Sequence, residues 1–260
     1  MVPCFLTDLD LAGAAVEGNI LFGHTTWVSG HKNIAPDTVE TSAYDVMDEL
    51  VSYYMDTTKF PALEAVVIAG HSAGGQMTQR YAAMRKTSDQ DPKVLSIYVS
   101  RIASLHRLQV HYWVANPGSL LWLAEDRPAP NADCQGVDSY KYGLTDKLPA
   151  YALKDAKALG REGLVERYFS RNIHYAWGLA DDGPGDTRCQ AVTQGSTHLE
   201  RGQNFVAMID QLGGLPSTST VDYVDGVSHQ VERMFMSPEG CDKVCVSLTK
   251  EQITVEAQRL

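Results

Sequence analysis

The sequence predicts an α/β fold with a mainly parallel central sheet, and three observations predict it. Strand-like and helix-like segments alternate along the chain. The strand-like segment Ala65 to Ala69 is apolar at every position, as a strand covered on both faces must be. That run then passes through Gly70-His71-Ser72-Ala73-Gly74 into a helix-like segment with no polar loop between.

The elements follow in order. Met1 to Leu6 reads as a short strand, and the glycine-spotted stretch to Val39 as irregular. Thr41-Ser42 offers hydroxyls for a helix N-cap, after which Met47, Leu50, Val51 and Tyr54 fall on one face. Phe60-Pro61 closes that connection before the Ala65 to Ala69 strand. Gln76 to Lys86 reads as helix, and Val94 to Ser100 and Leu108 to Ala115 as strands, the second ending in Asn116-Pro117-Gly118. Helix returns from Tyr151 to Ser170, strand from Ile173 to Leu179, helix from Thr197 to Leu212 with Gly213-Gly214 as its stop, and strand from Thr220 to Val224.

Composition narrows the function classes. The chain has 260 residues, 44% hydrophobic and 21% charged, which suits one domain over residues 1-260. A formal charge of -10 and no cluster of Lys and Arg argue against a nucleic-acid partner, whose phosphates need a basic face. No stretch approaches the length of a membrane span, and the start has neither a basic nor a long apolar leader region. A soluble chain is expected, with its compartment open and secretion compatible with a longer N-terminus. The five cysteines leave room for a bridge between Cys134 and Cys189 or between Cys241 and Cys245. The Cys241/Cys245 spacing lacks the second pair that a zinc site requires, so no metal is expected, and no organic cofactor. Nothing in the pattern specifies an oligomer.

The serine turn carries the chemistry. A strand that turns sharply into a helix at a glycine-flanked serine presents the hydroxyl above the sheet edge, and Ser72 is the candidate nucleophile. The amide of Ala73, at the helix N-terminus, can donate to a developing oxyanion. A serine needs a base, and three histidines lie well downstream: His174, His198 and His229. His174 falls inside a strand and His198 in the first turn of a helix, which suits structural roles. His229, in Asp225-Gly226-Val227-Ser228-His229 just past the last strand, is the candidate base. For the acid, Gly178-Leu179-Ala180-Asp181 puts a carboxylate at a strand tip. Asp181 is the choice, Asp182 the fallback, and Asp186 and Asp225 are further alternatives.

These residues resemble the α/β-hydrolase superfamily in the serine turn, the order Ser, acid, His, and the histidine after a strand. The segments FPALEAVVIAGHSAGGQMTQRYA, VANPGSLLWL, SYKYGL, HYAWGLADDGPGDTRCQAVTQG and GVSHQVERMFMSP more narrowly resemble a group of largely uncharacterised, mostly fungal α/β-hydrolase-fold proteins. The resemblance implies an ester-like substrate (a carboxylic ester or lactone) and a cap at 118-171. There Trp122, Leu123, Tyr140, Tyr142 and Tyr151 suggest an aromatic-lined site, or else core. Against the family pattern, VPCFLTDLD resembles the fourth strand, so the earlier strands and the HG-type oxyanion loop are expected to be missing and the chain N-terminally truncated. Gly23-His24 has the reversed order and comes too late, and Lys93 to Arg107 reads as additional. Two other readings fit the same residues: a non-catalytic binding protein on this fold, and a serine peptidase or acyltransferase.

Overall fold

The computed structural model describes residues 1-88 and 109-244. Among them, β1 (Ala65–His71), β2 (Gln109–Ala115), β3 (Asn172–Gly178) and β4 (Thr220–Val224) pair in the order β1-β2-β3-β4, every pair parallel. Parallel neighbours need crossovers, and the helices α2 (Ala73–Met84), α3 (Leu153–Phe169) and α5 (His198–Gln211) lie in them. The register aligns His71 with Ala115, Ala115 with Ala176 and Gly178 with Val224, so the four strands end at one edge. Ligand sites of open α/β sheets form at that edge.

Strand alternation splits the core into two layers. Tyr112 and Val114 of β2 join a large cluster with Tyr81, Leu121 and Phe205, while Trp113 and Ala115 join a smaller one with Ala176, Val224 and Met234. The helix α1 (Ala43–Tyr54) begins as its sequence predicts. Ser42 Oγ accepts from the Asp45 N–H at 3.1 Å, and the Asp45 carboxylate accepts from the Ser42 N–H at 2.8 Å. Short helices α4 (Cys189–Val192), α6 (Val231–Met236) and α7 (Pro238–Val244), with two 3-10 turns at Asp8–Ala12 and Trp27–Ser29, complete the described elements. No helix in it is long and apolar enough to cross a membrane.

Several expectations change. Met1 to Leu6 forms no strand: only an isolated bridge, Thr7 to Phe22, links this region, because no ladder partner lies alongside it. Helix α2 starts at Ala73 and not Gln76, since the N-cap is Ser72 itself. Helix α3 breaks at Gly160, whose φ of 64° and ψ of -173° are not helical. In the expected cap, residues 118-152 hold no helix or strand, and Trp122, Leu123, Tyr140 and Tyr142 are buried while Tyr151 packs against the main core. Those aromatics are core and not the lining of an open site. Cys134 and Cys189 are bridged. Cys245, Val94 to Ser100 and Lys93 to Arg107 lie outside the described residues.

The two helix-side glycines after Ser72 have opposite demands. A Cβ on Gly75 would lie 2.6 Å from the Ala115 carbonyl oxygen, and one on Gly70 would lie 2.2 Å from that of Gly74. A Cβ on Gly74 meets nothing, so only Gly70 and Gly75 set the strand-helix approach. Gly75→Ala should therefore lower unfolding free energy by about 1–3 kcal/mol. Gly74→Ala should leave it unchanged or raise it by up to about 1 kcal/mol, both read from urea melts.

Candidate active site

Ser72 sits where β1 becomes α2, with φ 56° and ψ -118°. A positive φ on a non-glycine residue costs about 1–3 kcal/mol, which the surroundings must impose. They do so through the Ser72 N–H, which donates to the Ala115 carbonyl at 2.9 Å, and the Ser72 carbonyl, which accepts from Gln76 at 3.0 Å. The Ser72 side chain makes no capping bond, and the amide of Ala73 belongs to the first helical turn, whose N–H groups have no intrahelical acceptor.

Asp181 lies just past β3, fully buried. Nδ1 of His229 is 2.7 Å from its Oδ2. A carboxylate can only accept, so Nδ1 carries the proton and Nε2 is left with a free lone pair, the state of a general base. Burial pushes the Asp181 pKa up, but the contacts with His198 and His229 outweigh it and hold the group below the usual carboxylate range. The loop bearing His229 is fixed by two bonds to the acid's own strand end, Leu179 N–H to Val224 O and Ala180 N–H to Val227 O, each 2.9 Å. Ser72, Ala73 and His229 line one cavity of about 480 Å³. Of the other acids, Asp182 and Asp225 are exposed, and Asp186 accepts from Tyr142 Oη at 2.8 Å. It is Asp181 that meets His229.

Three residues here were missed or set aside by sequence reasoning. His198, read as structural, is buried with Nδ1 3.0 Å from Asp181 Oδ1, out of line for a hydrogen bond, and its ring stacks on His229 at 4.1 Å. The available signal was its place at the start of α5, the helix that follows the acidic loop. His71 flanks the other way, its ring 4.6 Å from that of His229, and burial, with His229 beside it, lowers its pKa to about 4. Asn116, in a left-handed conformation with φ 40°, accepts from the Gly178 N–H at 2.9 Å and donates to the Ser228 carbonyl at 3.2 Å. It ties β2, β3 and the His229 loop together. From the N-terminal segment, Thr25 and Val28 line the same cavity as Ser72. A second cavity, of about 500 Å³, is lined by β1 residues and by Met1 to Phe5 and includes neither Ser72 nor His229.

Among the described residues, Asp181, His198 and His229 are also compact enough to grip a metal ion. As they stand, His229 Nδ1 is bonded to Asp181 Oδ2, and His198 Nδ1 lies 3.0 Å from Oδ1 without bonding to it.

No protein-family model and no curated protein matches the chain. Among solved structures it is similar to LpqC, a poly(3-hydroxybutyrate) depolymerase from Bordetella parapertussis, at 16% identity and TM-score 0.49, over 79% of this chain and 61% of that one. It is similar to poly(aspartic acid) hydrolase-1 from Sphingomonas sp. KT-1 at 20% identity and TM-score 0.49, over 79% of this chain and 66% of that one. A carboxylesterase structure from Nitrososphaera gargenis matches at 10% identity and TM-score 0.31, over 83% and 73% of the two chains. All three are named for hydrolysis. The chain thus spans less than two thirds of the first two, and likeness this remote carries no substrate and no mechanism.

The histidines set a pH dependence. His71, with a native pKa of about 4 against about 6.5 unfolded, stays neutral in the fold while the unfolded chain takes up a proton. Stability should fall as pH drops from 6.5 to 4, with His174, also lowered to about 4, acting in the same window. Asp181 acts in the same direction but in a lower window: its contribution is present above about pH 4 and is lost below, as the pH falls through its depressed native pKa. Urea unfolding across pH should show His71→Asn flattening part of the upper window and Asp181→Asn only the lower one.

Proposed function

We propose that the chain is a serine hydrolase on an α/β-hydrolase fold, cleaving a carboxylic ester or lactone through an acyl-enzyme. The single observation that carries this reading is the 2.7 Å contact of His229 with buried Asp181, made where His229 and the strained Ser72 share one cavity.

In this reading the Ser72 hydroxyl attacks the substrate carbonyl as His229 Nε2 takes its proton, and Asp181 stabilises the imidazolium. The Ala73 amide, in the first turn of α2, receives the oxyanion. Collapse expels the alcohol, which takes the proton from His229. Water then attacks the acyl-enzyme by the same route and frees the acid and Ser72. The segment 118-171 acts in this reading as the part that shapes the substrate entrance.

Labelling with a fluorophosphonate, read by intact mass, tests the reading. One adduct is expected on the wild-type chain and none on Ser72→Ala or His229→Ala. On a para-nitrophenyl ester, Asp181→Asn should lower kcat by about 10⁴, because the wrong tautomer then faces Ser72. A folded chain that takes no label would sink the hydrolase reading in favour of a non-catalytic binding protein.

A further inference from the structure

The cavity that holds Ser72 and His229 is not the apolar pocket its neighbouring aromatics suggested. Of the residues lining it, only Val28 and Ala73 bring apolar side chains. Its cations are Lys141 and Arg188. Behind them lie two fully buried guanidinium groups. Arg80 donates to Gln76 Oε1 at 2.9 Å and to Ser119 Oγ at 3.0 Å, and its Nε and Nη1 have no hydrogen-bond partner. Arg201 donates to the main-chain carbonyls of Gly118, Ala191, Gly195 and Asp186.

Behind the cavity wall Asp181 meets His198 and His229, and the one carboxylate among the lining residues is Asp186. It is already engaged by Tyr142 Oη at 2.8 Å and by Arg188 at 3.2 Å. Lys141 has no carboxylate within ion-pair distance among the described residues, and its ammonium stands 5.7 Å from the centre of the Tyr142 ring. A partly enclosed cleft in which one sign of charge predominates concentrates that potential on whatever enters, and here two lining cations face one lining carboxylate.

We propose that Lys141, with Arg188, forms an anion subsite beside Ser72, and that the substrates are ester-like compounds carrying a free carboxylate, such as half-esters of dicarboxylic acids. This rests on the hydrolase reading above. A carboxylate there gives Lys141 the counter-charge it lacks and leaves the Asp186 contacts in place.

The charge on Lys141 is itself responsive to pH. Burial first, then Arg80 of α2 and Arg188, lower its pKa to about 8, while Asp186 opposes them. The other titratable groups near it are Tyr142 on its own segment, His31 from the N-terminal segment, and His198 and His229 in the cavity wall. The subsite is therefore cationic below about pH 8 and loses one charge above it.

The experiment compares kcat/KM of the whole chain on mono-para-nitrophenyl glutarate and on the neutral pentanoate ester of similar length. The anionic-to-neutral ratio should fall by about tenfold or more in Lys141→Met, the loss expected for one charge-assisted contact, and be largely retained in Lys141→Arg. In the wild type the ratio should decline as pH rises through 8, and in Lys141→Arg it should not. An unchanged ratio in Lys141→Met, or a wild-type ratio flat through pH 8, overturns the proposal. Calorimetry of glutarate with Ser72→Ala reads the subsite without turnover. Binding that weakens by about tenfold or more when Lys141→Met is added supports the subsite even if fluorophosphonate labelling has failed, and binding that does not weaken overturns it.

Discussion

The buried carboxylate of Asp181 is the fixed point of this sheet edge. A carboxylate with no exposed surface costs several kcal/mol to hold ionised unless donors surround it. Here two imidazoles from different elements, His198 at the start of α5 and His229 after β4, converge on its two oxygens. The main chain of the same residue is held as well. Its N–H donates to Gly178 O, and its carbonyl accepts from Leu199 N–H in the first turn of α5. Moving the acid would therefore move the end of β3, the start of α5 and the His229 loop together.

That convergence depends on close backbone approach, which a few small residues permit. A Cβ on Gly178 would lie 2.3 Å from the Val227 carbonyl oxygen, so the His229 loop packs directly on the strand that leads to Asp181. Asn116 fills the gap between β2 and that loop with its amide, using both the acceptor and the donor. The disulfide from Cys134 to Cys189 then joins the segment carrying Lys141 to the loop carrying Arg188. The reacting groups and the charged wall are thus braced by separate means, hydrogen bonds for the first and a covalent link near the second.

What was legible in the sequence follows from the range of the forces involved. Periodicity and capping are local, so α1, β1, β2, β3, α5 and β4 were placed within a residue or two, and β4 at its exact limits. Ser72, Asp181 and His229 were nominated because each follows a strand, a position that local pattern reveals. His198, His71, Asn116 and Lys141 owe their places to contacts distant in sequence, such as Asn116 with His71 and with Ser228, or His198 with Asp181 and His229. No local pattern encodes those. The aromatics of 118-152 misled because a large apolar ring serves core and cavity equally well until its neighbours are known. Met1 to Leu6 misled because a strand exists only with a partner strand.

The sign of the cavity runs against the sign of the chain. A net charge of -10 disfavours anions, yet screening suppresses that repulsion beyond about 8 Å at physiological salt. Inside a partly enclosed cleft the balance reverses, since Lys141 and Arg188 outnumber Asp186 among the lining residues, and behind the wall Arg80 and Arg201 outnumber Asp181. An anionic substrate is then not steered from afar but discriminated after entry, where the cations are close and water is partly excluded. This division separates encounter from selection: the acidic surface gives no advantage in association rate, and preference for a carboxylate arises from contacts within the cleft. Because Arg188 is already shared with Asp186, the charge that decides that preference is the one on Lys141.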